Sequence, residues 1–400
     1  MNDRPTKAAL VVCYSNLATD PRVVRQIDWL VGAGWQVDTL GLGPTPRPDV
    51  RHHFPMTELP RLLTSSLIRG VVHALLPKPT RFDVLLGSRI PAQLRPRRGV
   101  RGSGPYDLVL VNDIDLLPWA LAHGPALVSD DPGARIHLDV HEYHRWAPSP
   151  ETPFATRALM GGYHRWTTAM IGSPAITSRS TVADGIADLY AADFGIDRPS
   201  IVRNSPGYVE LAPRAVDPER IELVYHGNAE MARGLDLLID AVRLLDERYH
   251  LNLMLTGSAD GRARLRELTR DLGDRVEFHD PVPMADVPAK LNAFDLEVIF
   301  YPPTSPNFLH SFPNKFFEAV QGRIGVVIGG SPSMEAIVRR YGNGIIVDGW
   351  TAADLARTLN ETTVDRIDAA KRAADACAHD LNSDVEGAVF LREVTGEVRR

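Results

Sequence analysis

Two cysteines, Cys13 and Cys377, are all that 400 residues contain. They are too few and too far apart for a disulfide framework or a zinc site, so the expected compartment is the reducing cytoplasm. No apolar run reaches transmembrane length, and the run Ala8 to Cys13 is far too short for a signal-peptide core. Positive charge is not in excess either: the formal net charge of −6 argues against bulk nucleic-acid binding. The glycine-rich fingerprint G-x-G-x-x-G is missing from Tyr14 to Thr19, the loop after the first apolar run, which counts against a nicotinamide enzyme.

What is present is the composition of a globular protein, 44% hydrophobic and 24% charged, over a length that suits two α/β domains of roughly 150 to 200 residues. Ala8 to Cys13 reads as a buried strand. Asp20-Pro21 then opens an amphipathic helix carrying Arg22, Val23, Gln26, Ile27 and Leu30, and Gln36 to Leu40 completes a βαβ unit. Ser15, Asn16 and Arg22 around that loop are candidates to face an acceptor. Residues 45 to 104 break the rhythm with prolines and with Arg61, Arg69, Lys78, Arg81, Arg89, Arg95, Arg97, Arg98 and Arg101 against Asp83. Leu62, Leu63, Leu67, Ile68, Val71, Val72, Leu75 and Leu76 fit one side of a helix. Two readings stand: a basic insertion packed on its own domain with a mobile Arg95 to Arg101 tip, or a basic amphipathic segment resting on an anionic membrane.

Strands resume at Asp107 to Val111, followed by Asn112-Asp113-Ile114-Asp115, and at Ile136 to Val140, followed by His141-Glu142-Tyr143. Ligands of open parallel sheets bind beyond the carboxyl ends of strands, so Asp113, Asp115, His141 and Glu142 are candidates for one cleft, with His141 the sharpest and His137 structural. A helix over Thr152 to Met170, a strand at Pro174 to Thr177, a helix from Thr181 to Tyr190 and a strand at Ser200 to Arg203 lead to turn residues Asn204 to Tyr208, the expected domain boundary.

The second half repeats the plan. After the strand Ile221 to His226, the loop Gly227 to Gly234 carries glycines at both ends with Asn228 and Arg233 between, a setting in which backbone N–H groups and a guanidinium can hold a diphosphate. Strands at Leu251 to Thr256, Val276 to His279, Leu296 to Tyr301, Gly325 to Ile328 and Gly344 to Val347 give a second doubly wound sheet, and Ser331-Pro332 is set to cap and open a helix. Within Ser311 to Gly330, Phe316, Phe317 and Val320 form a core face and Gly322 can end the helix in a left-handed conformation. Lys315 in the first turn adds positive charge to the positive end of the helix dipole, an arrangement an anion would relieve, and Glu318 one turn later suits sugar hydroxyls. The competing reading is a solvated Lys-Glu pair on an exposed helix.

These residues resemble a retaining glycosyltransferase of the GT-B fold, close to glycosyltransferase family 4. Asp20-Pro21-Arg22-Val23, Asp139-Val140-His141-Glu142 and Arg233-Gly234-Leu235 resemble family segments, and Pro313-Asn314-Lys315-Phe316-Phe317-Glu318 matches the donor motif Pro-Asn-Lys-x-Phe-Glu. The resemblance implies two Rossmann-like doubly wound parallel-sheet domains facing a cleft: an acceptor domain over 1–206, a donor domain over 207–380, and a C-terminal helix over 381–400 returning to the first domain. It implies a hexosyltransferase-type enzyme (EC 2.4), independent of metal or cofactor, that moves a sugar from a UDP- or GDP-type sugar to a hydroxyl acceptor with retention of configuration. The acceptor is a glycan, a lipid-linked sugar or a small molecule. The catalytic set is His141, Asp113 and Lys315. The donor-binding set is Gly227, Asn228, Arg233, Gly234, His310, Asn314, Lys315 and Glu318, with base contacts near Asp280 to Pro283. The acceptor side holds Ser15, Asn16, Arg22 and Glu142. Localisation is expected to be cytoplasmic, with peripheral contact at the inner membrane face and no nucleic-acid partner. Two departures stand out: His310 occupies the place of a usual glutamate, and Asn228 that of one of two usual cations. They motivate a catalytically impaired GT-B binding partner as the alternative, with a sugar-nucleotide epimerase behind it.

Overall fold

The computed structural model describes residues 6–95, 105–145 and 154–396. They divide into two compact units, one of residues 1–182, 186–202 and 387–400, the other of 183–185 and 203–386. The first unit holds seven strands, β1 (Ala8–Asn16), β2 (Gln36–Leu42), β3 (His52–Pro55), β4 (Leu108–Asn112), β5 (Arg135–Val140), β6 (Ser178–Thr181) and β7 (Ser200–Ile201), in the order β3-β2-β1-β4-β5-β6-β7. All of its ladders are parallel. Ala9 to Val12 and Leu108 to Val111 are fully buried, because both faces of a parallel sheet are covered by helices. The second unit orders β8 (Ile221–Asn228), β9 (Tyr249–Thr256), β10 (Val276–His279), β11 (Leu296–Ile299), β12 (Gly325–Ile328) and β13 (Gly344–Ile346) as β10-β9-β8-β11-β12-β13. Strand order reverses between β1 and β4 in one sheet and between β8 and β11 in the other, and such switch points open a crevice for ligands.

Local chemistry explains the boundaries. The Asp20 carboxylate accepts from the Arg22 and Val23 amides and starts the helix Pro21–Gly32. The strand expected at Pro174 to Thr177 lies instead at Ser178–Thr181. Proline has no amide to give a ladder, and a Ser173 to Ile176 turn fills that stretch, while Ser178 and Ser180 bond the two ring nitrogens of buried His137 at 2.8 Å each. Within 45 to 104 a third parallel strand, β3, was not anticipated. The single helix expected across Leu62 to Leu76 is broken into Arg61–Thr64 and Ser66–Leu75, and a further helix, Lys78–Leu85, follows it in this insertion. Two of its cations point inward: Arg81 is buried and donates to the His73 carbonyl, and Arg89 is buried on Thr57 O and the Tyr14 hydroxyl, both at 2.7 Å. The expected mobile tip lies, from residue 96 on, outside the described residues.

The helix Asn314–Gln321 ends differently from expectation. Gly322 has φ −77°, and it is Arg323 that turns left-handed at φ 59°. Gly322 serves close packing, since a Cβ there would lie 2.9 Å from Leu291 Cβ. Arg323 is fixed by bonds to Asp375 and to the Val209 and Gln321 carbonyls. Ser331 precedes the helix Pro332–Tyr341 but gives no side-chain cap; its hydroxyl bonds the Ser311 carbonyl. The closing helix, Ser383–Thr395, sets Phe390 and Val394 into the first unit's core beside Val23, Ile27 and Trp29.

Candidate functional site

In the second unit Gly227 and Asn228 close β8, Arg233 and Gly234 follow it, and Lys315 comes back against Gly227. Pro313 occupies the N-cap of the helix Asn314–Gln321, so Lys315 is its second residue. Every side chain from Lys315 to Gln321 is buried, which rules out a solvated Lys-Glu pair. Lys315 is 5% exposed. Its Nζ lies 3.7 Å from the centre of the Tyr225 ring and 5.6 Å from that of Tyr301, and it makes no hydrogen bond of normal geometry. Burial lowers the pKa of this ammonium, but the Tyr301 and Tyr225 rings and the Glu297 carboxylate outweigh it, and the net shift is upward. The group stays charged.

The approach of Lys315 to β8 needs a glycine. Gly227 has φ +114°, and a Cβ there would sit 3.2 Å from Lys315 Nζ. Gly227→Ala is expected to push the ammonium off the strand end and to weaken nucleoside-diphosphate binding at least tenfold (about 1.4 kcal/mol), as read by calorimetry with UDP. Unchanged affinity would count against the placement of the site.

Gly234, also left-handed at φ 72°, brings the helix Leu235–Leu244 against Phe300 O, which would be 2.7 Å from a Cβ. Just before it, Arg233 Nε donates to Glu230 Oε2 at 3.2 Å, with the guanidinium 5.8 Å from the Tyr301 ring centre. Arg233 and Lys315 thus both approach the Tyr301 ring. Asn228 Nδ2 donates to the other oxygen of Glu230 at 2.6 Å. Asn314 opens the Lys315 helix, and His310 closes the one-turn helix Pro306–Leu309.

Glu318 is 7% exposed and accepts at Oε2 from His226 Nε2, 2.8 Å away. The other ring nitrogen, Nδ1, lies 2.9 Å from Glu297 Oε2. Burial lowers the His226 pKa, yet the two carboxylates raise it to about 9. His226, Glu297, Tyr225 and Tyr301 were not among the expected site residues. A signal existed for one of them: Glu297 interrupts an otherwise apolar buried strand, and a buried charge demands a partner. Beside this cluster, at the ends of β9 and β10, a cavity of about 380 Å³ is lined by Thr256, Gly257, Arg262, Phe278, His279 and Asp280. A second cavity, about 550 Å³ near Glu335, Arg339 and Trp350, contains none of the expected residues.

The first unit has its own polar cluster beyond β4 and β5. Asp113 takes a left-handed φ of 57° and accepts at Oδ1 from the His141 amide (2.9 Å) and His144 Nε2 (3.0 Å). His141 Nδ1 lies 3.3 Å from Asp113 Oδ2, and its Nε2 lies 3.0 Å from Asn112 Oδ1 and 3.1 Å from Asp139 Oδ2. Both ring nitrogens therefore face acceptors. Burial lowers the His141 pKa, but Asp113 and Asp139 raise it by more, favouring the imidazolium. His141 in this state offers donors, not a basic lone pair. Asp139 is itself saturated: besides His141 it takes two bonds from Arg22 (2.6 and 2.7 Å), one from Gln26 (2.6 Å) and one from Ser180 (2.6 Å). Burial raises its pKa, and the Arg22 charge and hydrogen bonds hold it well below the carboxylate range.

Arg22, expected on the acceptor side, is 4% exposed and turned inward onto Asp139 and Val202 O. Ser15 bonds Asp20 at 2.8 Å, Asn16 caps the turn Leu17–Thr19, and Glu142 and Asp115 are exposed. Among the described residues, no group of His, Cys, Asp and Glu is arranged to hold a metal ion, and no helix is long and apolar enough to cross a membrane.

Residues 220–365 match the model of the family described as Glycosyl transferases group 1. A D-inositol 3-phosphate glycosyltransferase of Pseudarthrobacter chlorophenolicus is 27% identical over 219 residues, 50% of each chain. The chain spans about half the length of the curated relatives it matches. Among solved structures, a sucrose-phosphate synthase from Thermosynechococcus elongatus superposes with a TM-score of 0.69 at 14% identity, covering 98% of this chain and 100% of that one. Anabaena HepE in complex with UDP and glucose gives 0.65 at 14% identity, with the same coverage. Both units thus carry the GT-B architecture, and within the second, residues 220–365 are similar to the group 1 glycosyl transferases.

Proposed function

We propose that the protein is a retaining glycosyltransferase that moves a hexosyl group from a nucleoside-diphosphate sugar to a hydroxyl acceptor. The observation that carries this reading is Lys315: a buried ammonium, without a hydrogen bond of normal geometry, at the positive end of a helix dipole. A diphosphate supplies the missing anion. Arg233, its guanidinium 5.8 Å from the Tyr301 ring centre, adds a second cation. As the bond from the anomeric carbon to the diphosphate oxygen lengthens, charge grows on the leaving diphosphate, and these two groups stabilise it where a metal ion would otherwise act. Glu318 offers Oε1 to the ribose, and the cavity near Asp280 takes the base. On the acceptor side, His141, with both ring nitrogens engaged, holds the Asp113 carboxylate in place to accept from hydroxyls. The UDP in the HepE structure favours a UDP-type donor.

A specific observation keeps a second reading alive. Asn228 stands tied to Glu230, leaving Arg233 as the cation of that loop, as in a GT-B partner that binds nucleotide without transferring. One panel separates the two: thermal shifts with UDP, GDP and their sugars, followed by product analysis with a mixed hydroxyl acceptor panel. Stabilisation is expected to grow with the logarithm of ligand concentration for one nucleotide series. Stabilisation without transfer or hydrolysis supports the partner, an epimerised donor would mark an epimerase, and no stabilisation by any nucleoside diphosphate would sink the donor site.

A further inference from the structure

The charges around Lys315 extend into the second sheet. Glu297 sits on β11 beside Val224 of β8, is fully buried, and accepts from both the backbone amide (3.3 Å) and Nδ1 (2.9 Å) of His226. Glu318, one turn beyond Lys315 on its helix, accepts from Nε2 (2.8 Å). From β9, the residue in register with His226 is the uncharged Met254. His226 is thus faced by carboxylates from two elements, with the Lys315 ammonium on one of those same elements. Two nitrogens facing two carboxylates are satisfied only if both carry hydrogen, so the ring is an imidazolium. Glu318 Oε1 accepts no hydrogen bond among the described residues.

Resting on the donor site proposed above, we infer that His226 is a positioning residue: an imidazolium shared by Glu297 and Glu318, it fixes the Glu318 carboxylate so that Oε1 is held ready for nucleoside hydroxyls. Loss of the ring proton leaves one N–H for two carboxylates, and the other carboxylate then faces a lone pair. Glu318 is released, and nucleotide affinity falls. The titration that does this is centred near pH 9, so the donor site is closed from the alkaline side. Glu297 is buried beneath the ring and sets that midpoint by charge, without itself touching ligand.

The test uses the full chain as wild type, Glu297→Gln and His226→Gln. Imidazole titration by NMR, with the His226 signal assigned by its loss in His226→Gln, is expected to place the wild-type midpoint near pH 9 and the Glu297→Gln midpoint at least one pH unit lower. Calorimetry with UDP and GDP from pH 7 to 10 is expected to show about a tenfold loss of affinity across the wild-type limb, the value of one charge-assisted hydrogen bond. The limb should move to lower pH in Glu297→Gln and vanish in His226→Gln. Ionisation of the ligand's base is common to all three proteins and cancels in the comparison. A His226 midpoint at or below the ordinary histidine value, or the same alkaline limb in every protein, overturns the positioning role while leaving the donor site standing. Failure of both nucleotides to bind wild type at any pH overturns the donor site and this role with it. Should His226→Gln not fold, the calorimetric limb carries the test: its shift to lower pH in Glu297→Gln is expected, and the same limb in wild type and Glu297→Gln overturns the role.

Discussion

Lys315→Ala is expected to lower kcat/KM for sugar transfer by about a hundredfold or more while leaving the apo protein's stability within about 1 kcal/mol of wild type. The activity term follows from the role proposed for the ammonium, to stabilise charge on the diphosphate beside a helix segment whose side chains are all buried; removing one preorganised charge from such a setting costs roughly 3 to 4 kcal/mol. The stability term follows from a near balance. Contact with the Tyr225 face and attraction to Glu297 favour the cation, and desolvation and the helix dipole oppose it. Function and folding thus separate at this residue, and UDP should protect wild type against heat but not the variant. A kcat/KM within about threefold of wild type would remove Lys315 from the mechanism.

Asp139→Ala is expected to have the largest effect on stability, about 3 to 5 kcal/mol, confined to the first unit. The substitution removes both carboxylate bonds of the Arg22 guanidinium and leaves that charge buried. Gln26, Ser180 and His141 lose an acceptor as well. Calorimetric unfolding should show a first-unit transition shifted down and the second-unit transition unmoved; equal shifts in both would contradict the assignment. The acid limb has a definite sign. Because the folded pKa of Asp139 lies well below its unfolded value, its contribution is complete above the unfolded pKa of about 4 and is lost as pH falls through the folded one. Wild type should lose more first-unit stability than Asp139→Ala when taken to low pH.

How much could be read from residues alone depended on whether the signal was local. The buried strands β1, β4, β5, β8 and β12, the Asp20-Pro21 helix start, and the helix that carries Lys315 and Glu318 each rest on a few adjacent side chains, and each lies where its pattern indicates. The His226 bridge does not, because it joins β8, β11 and a helix, and a histidine closing a strand looks the same whether it meets one carboxylate or two. Arg22 misled for a related reason: a polar residue near a loop reads as ligand-facing until its partner, far along the chain on β5, is known. The polar strand β6 was misplaced by four residues, since serine is a poor strand signal unless a buried histidine is there to bond it. At Arg323 the backbone takes a conformation usually left to glycine, and only the surrounding carbonyls and Asp375 make that tolerable.

The closing helix carries a consequence for how this chain is made. Domains of a growing polypeptide generally fold in the order in which they leave the ribosome. Here the hydrophobic layer around Val23, Ile27 and Trp29 lacks two of its members until Phe390 and Val394 have been synthesised, and the Trp29 ring meets the Phe390 ring at 5.3 Å. The unit begun first is the one finished last. During translation the second unit, residues 183–185 and 203–386, has all of its chain once residue 386 is made, while its predecessor still waits with an open seam.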